Sequence, residues 1–532
     1  MQKKIYLFLF LLEVAIVILA SSFQKSSGYM DADYYYANAV NIATGKGFNE
    51  DFIWNYLDNP KGIPHPSFTY WMPLASVVSS LSLILTGDLR FPISRIPFLL
   101  LSGFVPILAA HITLRISGDR KSAWMAALFS IFSGFYLIYL GLPETFLLYM
   151  LLGACFFEVG MTLFERSGKI NRLFLLLCFI LGGIAGLIIL TRADGLLWVV
   201  AGLGLVIFAS MGWGKERSFL HGLWGILLLF LGFGLITATW YIHNYSIFGS
   251  WMAPGGIKTL WMTDYNQTFI YPSSLLTFNH WWSVGILVHL KEYGSALWLN
   301  LQTLIIVQGE IFLVPFAIIA FLKFRNIRIL KWFTFIFFFQ FLVSTFVFPY
   351  SGSRGGFFHS GSAFQIIFWA LAGTGFWSVL EWGVTKRGWQ LIRSAKMFVP
   401  ALIFLVLLFS GFIYWQKVIG RDLSDPVWNQ EHLVYQVIES ELLAQGFPMD
   451  QKILIGNPPG YFVSTGRSAL AIPDGDVDTL GDVAKKYGAE LLAIDQNHPQ
   501  GLISFYSQAT SQDGFTYLFK IGKYEVYSFR GN

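Results

Sequence analysis

Charge is what this chain has least of: Asp, Glu, Lys and Arg together make up 13% of its residues. Soluble domains devote about a quarter of their residues to charge. Combined with 55% hydrophobic residues, 52 Phe, 19 Trp and a mean hydropathy of +0.57, the deficit excludes a soluble domain and indicates a polytopic membrane protein. Cysteine is scarcer still. Cys155 and Cys178 are the only two, and both fall in apolar runs, which excludes a disulfide framework and a thiolate metal cage. No basic cluster stands out either. A net charge of +5 is small for this length and fits lysine and arginine in membrane-flanking loops rather than a nucleic-acid footprint. No nucleic-acid partner is expected, and no internal repeat is apparent.

What is present in quantity is apolar sequence in membrane-length runs. A span needs about 20 mostly apolar residues, which predicts helices near 5–22, 91–114, 122–142, 145–164, 172–190, 196–212, 219–240, 304–322, 330–349, 361–382 and 397–416. The stretch 67–86 is also apolar, but it holds Pro73 and five serines, and counting it would invert every later loop. Basic residues arbitrate, because they concentrate on cytoplasmic loops. With a cytoplasmic start at Lys3 and Lys4, the inner loops collect Arg115, Arg120, Lys121, Arg166, Lys169, Arg172, Lys215, Arg217, Lys323, Arg325, Arg328, Lys331, Lys386, Arg387, Arg393 and Lys396. With Lys3 and Lys4 added, that set is half of the 36 basic residues. The 67–86 stretch is therefore expected as an interfacial or half-inserted helix on the outer side. The N-terminus resembles a secretory signal ending at Ala20-Ser21-Ser22, but its apolar run is long enough to span, and an uncleaved anchor is expected.

The expected fold is an all-α polytopic membrane bundle of about eleven transmembrane helices plus outer juxtamembrane helices, with a small C-terminal α/β extracytoplasmic domain. The bundle occupies 1–416, with outer loops at 23–90 and 241–303. The tail, 417–532, changes composition. Strands are predicted at Lys452–Ile455, Leu470–Ile472 and Glu490–Ile494, a turn at Asn457–Gly460, a helix at Asp478–Tyr487, and a hairpin of Tyr517–Lys520 with Glu525–Phe529 around Gly522. The compartment expected is a bacterial inner membrane, with the N-terminus cytoplasmic and the tail outside.

Once the loops are oriented, Asp31, Asp33, Glu144, Arg192, Asp194, His243, Arg354 and His359 all fall at outer helix ends or in outer loops. Ionised groups at the membrane surface, rather than within it, suit chemistry at the lipid boundary. The plain structural readings stand beside this. Asp31 sits where it would cap a helix, Glu144 where a helix dipole welcomes a carboxylate, Asp194 where it would pair with Arg192, and Arg354 where an arginine snorkels. Trp251, Trp261, Trp281 and Trp282 mark the interface more readily than a sugar platform. Glu13, His111 and Glu158 are costly in lipid and are expected to face other helices, without chemistry.

Several short motifs carry a resemblance. Asp31-Ala-Asp33 with the aromatics Tyr34 and Tyr35, Ala37 and a stop at Gly45-Lys46-Gly47, followed by Pro64-His65-Pro66 and Ser67-Phe68-Thr69-Tyr70-Trp71, resembles the first outer loop of GT-C glycosyltransferases. Glu144 in Leu142-Pro143-Glu144-Thr145 and the turn Thr191-Arg192-Ala193-Asp194-Gly195 extend the likeness, which in layout covers most of residues 1–382. The branch it resembles contains protein O-mannosyltransferase-like and lipid A aminoarabinose transferase-like enzymes. The resemblance implies transfer of a sugar from a polyprenyl-phosphate donor to a lipid, glycan or protein acceptor outside the cytoplasm. It also implies an inverting displacement in which Asp31 is the base. Asp33 and Glu144 join Asp31 as catalytic candidates, and oxygen-rich sites of this kind suit Mg or Mn. Arg192 and Arg354 are the expected phosphate partners, with Asp194, His243 and His359 as further substrate contacts. A transporter or flippase of lipid-linked saccharides is the alternative, although transporters place polar residues near the bilayer midplane within repeated, broken helices. A silent assembly scaffold requires that the acidic pair be dispensable.

Overall fold

A computed structural model describes residues 1–166, 171–210, 219–508 and 514–530. Lys169, Lys215 and Arg217, three of the basic residues placed on inner loops, lie outside the described residues. Among the described residues, nine helices are long and apolar enough to cross a membrane: Lys3–Ser21, Phe91–Ser117, Thr145–Glu165, Arg172–Thr191, Ala193–Ser210, Gly222–Phe248, Arg328–Val347, Pro349–Arg387 and Leu391–Ile419. The chain is a multi-pass membrane protein.

Two of the expected spans take a shorter form. The one predicted over 122–142 stops at Phe132, because Ser133 and Gly134 adopt left-handed φ values of 38° and 54° and the chain tightens into a 3-10 turn over Gly134–Ile138. The one predicted over 304–322 is divided. Widened π-type turns over Thr303–Gln308 give way to a break where Glu310 and Ile311 have φ of 45° and 59°, and Val314–Phe324 resumes the helix with proline in its first turn. The stretch kept out of the span count forms a 13-residue helix, Leu74–Thr86.

The chain divides into two compact units. The first comprises Met1–Ser22, Pro97–His243 and Tyr293–Lys417; the second comprises Phe23–Ile96, Asn244–Glu292 and Val418–Asn532. In the first, helices meet through glycine, as expected where lipid supplies no hydrophobic drive and close backbone approach must hold the contact. A Cβ on Gly375 would stand 1.8 Å from the Phe316 carbonyl oxygen, and one on Gly153 would stand 2.1 Å from that of Ala363.

The second unit is built on strands β1 (Asn49–Glu50), β2 (Phe52–Ile53), β3 (His65–Pro66), β4 (Lys452–Ile455), β5 (Ala469–Ala471), β6 (Ala489–Ile494), β7 (Phe515–Ile521) and β8 (Tyr524–Phe529). β1 and β3 pair antiparallel, and the rest form one sheet in the order β2-β5-β4-β6-β8-β7. The domain predicted for 417–532 therefore does not end at its own boundary. β2, from the segment that follows the first span, adds to the sheet parallel to β5, with Phe52 opposite Ala469 and Ile53 opposite Leu470. Alternation along the strands supplies two apolar faces. Ile453, Ile455, Leu491 and Ala493 pack with Tyr435, Ile438 and Leu442 of helix Val427–Ala444; Leu454, Leu492 and Ile494 pack with Leu480, Val483 and Ala484 of helix Val477–Tyr487. The turn predicted at Asn457–Gly460 is instead the start of helix Pro458–Thr465. Asn457 caps it by accepting the Gly460 N–H, and proline occupies the first helical position.

Two buried ion clusters hold this unit. Arg467 is wholly buried and meets Glu439 bidentately, Nε to Oε2 at 2.8 Å and Nη2 to Oε1 at 2.7 Å, while its Nη1 donates to the carbonyls of Pro448 and Gln451 at 2.6 and 2.8 Å. His65 is 4% exposed and lies between two carboxylates, Nδ1 at 3.1 Å from Glu50 and Nε2 at 2.8 Å from Asp58. Burial opposes charge on His65, but hydrogen bonds to Asp58 and Glu50, and then their charge, outweigh it and push its pKa up to about 10.

Each cluster yields a prediction for the full chain in detergent or nanodiscs. Arg467→Met strands a buried Glu439 carboxylate and is expected to destabilise this unit by about 3–5 kcal/mol. A denaturation midpoint equal to wild type would refute that. His65 has a folded pKa above its unfolded value of about 6.5. Its contribution is therefore fully present below that value and is lost as pH rises through about 10. Thermal stability should fall across this window in wild type, and His65→Gln should flatten that part of the profile; parallel profiles would exclude the assignment.

Candidate active site

In the first unit, Glu144 and His359 meet at the start of helix Thr145–Glu165. Pro143 precedes Glu144, which is extended (φ −155°, ψ 168°) and caps the helix by accepting the Phe146 N–H at 2.8 Å. Glu144 thus stands at a helix start, where the dipole favours a carboxylate, and it also caps the helix; the same carboxylate does more. It lies 3.4 Å from Nδ1 of His359, and the Thr145 hydroxyl sits 3.0 Å from Glu144 Oε2 and 3.1 Å from that Nδ1. Phe146 stacks on the His359 ring at 4.0 Å, fixing its plane. A buried carboxylate beside an imidazole is a donor pair of the kind that holds a divalent cation or passes a proton.

One turn along the same helix, the Tyr149 hydroxyl donates to Asp194 at 3.1 Å, and Gln340 donates to the other Asp194 oxygen at 3.2 Å. Arg192 completes the group, with Nε 3.2 Å from Asp194 Oδ1 and its guanidinium 6.0 Å from the Tyr149 ring centroid. The local sequence explains the geometry. Helix Arg172–Thr191 ends where Arg192 turns extended, and Ala193–Gly195 form a single 3-10 turn. Gly195 is required there, since a Cβ would lie 2.5 Å from Ile189 Cα.

Arg354 and His359 belong to one segment interrupted by a kink, with Gly355 at φ +116°. Arg354 is exposed and His359 is half-buried. His243, near the end of helix Phe219–Phe248, stacks on Trp240 at 5.6 Å.

Asp31 and Asp33 lie in the second unit, in the first turn of helix Met30–Ala43. The cap position is Tyr29, which makes no side-chain cap bond, so Asp31 is inside the helix rather than its N-cap. Asp31 is half-buried and Asp33 wholly buried. The Asp33 carboxylate accepts from Ser27 and from Asn457 (2.9 Å), and it lies 3.0 Å from Nε2 of His432. Burial would hold His432 neutral, yet the adjoining Asp33 charge and hydrogen bond raise its pKa above the usual histidine range. With both oxygens committed to protein partners, Asp33 does not fit the expected cation site of Asp31, Asp33 and Glu144.

Sequence reasoning missed Thr145, Tyr149, Gln340, His432 and Asn457. Thr145 and Tyr149 are four apart and so share a helix face with the site. Asn457 before two prolines is a helix-start signal. Nothing local marks His432 or Gln340.

No family model and no curated protein matches the chain. Solved structures do. ArnT from Cupriavidus metallidurans bound to undecaprenyl phosphate gives a TM-score of 0.56 at 9% identity, covering 99% of this chain and 98% of that one. The oligosaccharyltransferase of Archaeoglobus fulgidus in the apo form gives 0.53 at 11% identity, covering 96% and 72%. The same archaeal enzyme tethered with an acceptor peptide containing the NVT sequon gives 0.52 at 10% identity, covering 100% and 74%. This chain therefore has the fold of ArnT and of the archaeal oligosaccharyltransferase.

Proposed function

We propose that the chain is a GT-C glycosyltransferase that moves a sugar from a polyprenyl-phosphate donor to an acceptor on the extracytoplasmic side of a bacterial inner membrane. The observation that carries this reading is the likeness, over 99% of the chain, to a structure holding undecaprenyl phosphate. Fold alone does not assign chemistry, and the site residues supply the support. Carboxylate, imidazole and guanidinium groups stand at the ends of apolar helices, where a lipid-borne anomeric carbon and a water-borne hydroxyl can both reach. The likeness to an oligosaccharyltransferase favours transfer over translocation. Basic loops set the orientation, with the N-terminus cytoplasmic and residues 417–532 outside.

In this mechanism the acceptor oxygen attacks the anomeric carbon as the bond from that carbon to the donor phosphate oxygen breaks. Asp31 takes the hydroxyl proton, the configuration inverts, and polyprenyl phosphate leaves with the bonding pair. Arg192 and Arg354 hold the phosphate charge as it develops, with Asp194, Tyr149 and Gln340 fixing Arg192. Glu144 and His359 contact the substrate, His243 is a further contact, and Asp33 serves position rather than proton transfer. A divalent cation would add electrostatic support for the phosphate, and Glu144 with His359 is the pair that would hold it. No step requires it.

The test incubates purified protein with radiolabelled polyprenyl-phosphate sugars and candidate acceptors. Asp31→Asn is expected to lower kcat by about 10²–10⁴-fold; equal turnover would remove Asp31 as the base. Arg192→Ala and Arg354→Ala should each weaken transfer by about tenfold or more, as loss of a charge-assisted phosphate contact implies; wild-type rates would remove the phosphate role. Activity should persist in EDTA. Loss of activity that is restored by Mg or Mn would instead assign an essential cation.

A further inference from the structure

The start of the helix bearing Asp31 is gripped by side chains from the other end of the sequence, all within the second unit. Asn429 Oδ1 accepts the backbone N–H of Lys25 at 2.8 Å and of Ser26 at 3.2 Å, while its Nδ2 donates to the Phe23 carbonyl at 3.0 Å. Trp428 Nε1 donates to the Ser26 carbonyl at 3.0 Å, and a Cβ at Gly28 (φ +86°) would strike the Trp428 ring at 2.1 Å. The deepest contact is Asp33 with His432, at 3.0 Å. His432 is itself fixed, because its Nδ1 lies 2.7 Å from the Ser464 hydroxyl, which also donates to the Gly460 carbonyl at 2.7 Å. Gly460 has no room for a side chain: its Cβ would stand 2.6 Å from Asp33 Oδ2. A carboxylate and imidazole buried this completely have a strongly preferred geometry, since displacement removes a hydrogen bond that water is not there to replace.

We propose that His432 is a positioning residue for Asp31. It holds Asp33 two residues along the same helical turn, so the C-terminal segment sets the angle at which the proposed base is presented. The inference rests on the reading of Asp31 as base, but the clamp itself is measurable without turnover. Its functional signature is specific. Loosening the turn should misplace the proton acceptor and lower kcat, while donor affinity, supplied by Arg192 and Arg354, stays put.

The experiment uses the full chain in nanodiscs, with His432→Ala, His432→Gln and Asn457→Ala. Amide hydrogen exchange is followed in the peptide spanning residues 23–36, and exchange in Ala489–Ile494 serves as the control for the folded sheet. In His432→Ala, exchange over 23–36 should accelerate by about tenfold with the sheet unchanged. In the same variant kcat should fall by about tenfold or more while donor KM holds within about twofold. His432→Gln, which can bond both Asp33 and Ser464, should restore much of both. Should His432→Ala fail to fold, Asn457→Ala removes one Asp33 bond and should give the same changes at smaller size. Unchanged exchange over 23–36 in both Ala variants would overturn the clamp. Faster exchange with unchanged kcat would overturn the positioning role. If wild type transfers no sugar, the base assignment fails while the exchange result still decides the clamp.

Discussion

Lipid offers no hydrogen bonds, and that constraint organises everything else in this protein. A backbone amide in hydrocarbon must find its partner within its own helix or lose several kcal/mol, so the apolar runs become helices and charge is driven to their ends. Glu144, Arg192 and Asp194 stand where helices start or stop, at the limit of what a membrane-crossing segment tolerates. Each also solves a local structural problem: Glu144 caps a helix, and Arg192 and Asp194 make the turn between two spans. The proposed chemistry falls on the same residues that end the helices, and a structural role does not argue against a chemical one.

The second unit follows a different rule. Outside lipid, a small sheet must bury both faces to be stable, and this one recruits material to do so. Helices Val427–Ala444 and Val477–Tyr487 cover the two faces, and two residues of the loop after the first span extend the edge past β5. The loop is thus part of a folded body. Its second strand pair, β1 with β3, carries the buried Glu50 and His65 as cross-strand neighbours, so the Pro64-His65-Pro66 motif has a structural explanation of its own.

Membrane architecture was legible in the sequence because hydropathy acts over 20 residues and reports solvent directly. The tail strands and the helix ending at Tyr487 were legible because each carries its own periodicity. What escaped was set by single residues or by distant partners. The breaks at Ser133 and Glu310 depend on left-handed conformations that no sequence window of apolar residues announces. Helix Pro458–Thr465 was read as a turn because Asn, Pro and Gly signal both. At the site, Glu144, Arg192, Asp194 and His359 could be singled out by charge at a helix end. The commitment of Asp33 to Ser27, His432 and Asn457 could not, since it is made by segments far removed along the chain.

That distance has a consequence for biogenesis. Asp33 and Asn457 are 424 residues apart, and β2 waits for β5 across a comparable interval. The ribosome delivers the early loop long before its partners exist, and such non-local closure is slow. Until synthesis reaches the tail, the segment around Asp31 lacks the contacts that order it. A nascent or C-terminally shortened chain could insert all its apolar helices and still lack the order around Asp31 that the full chain has.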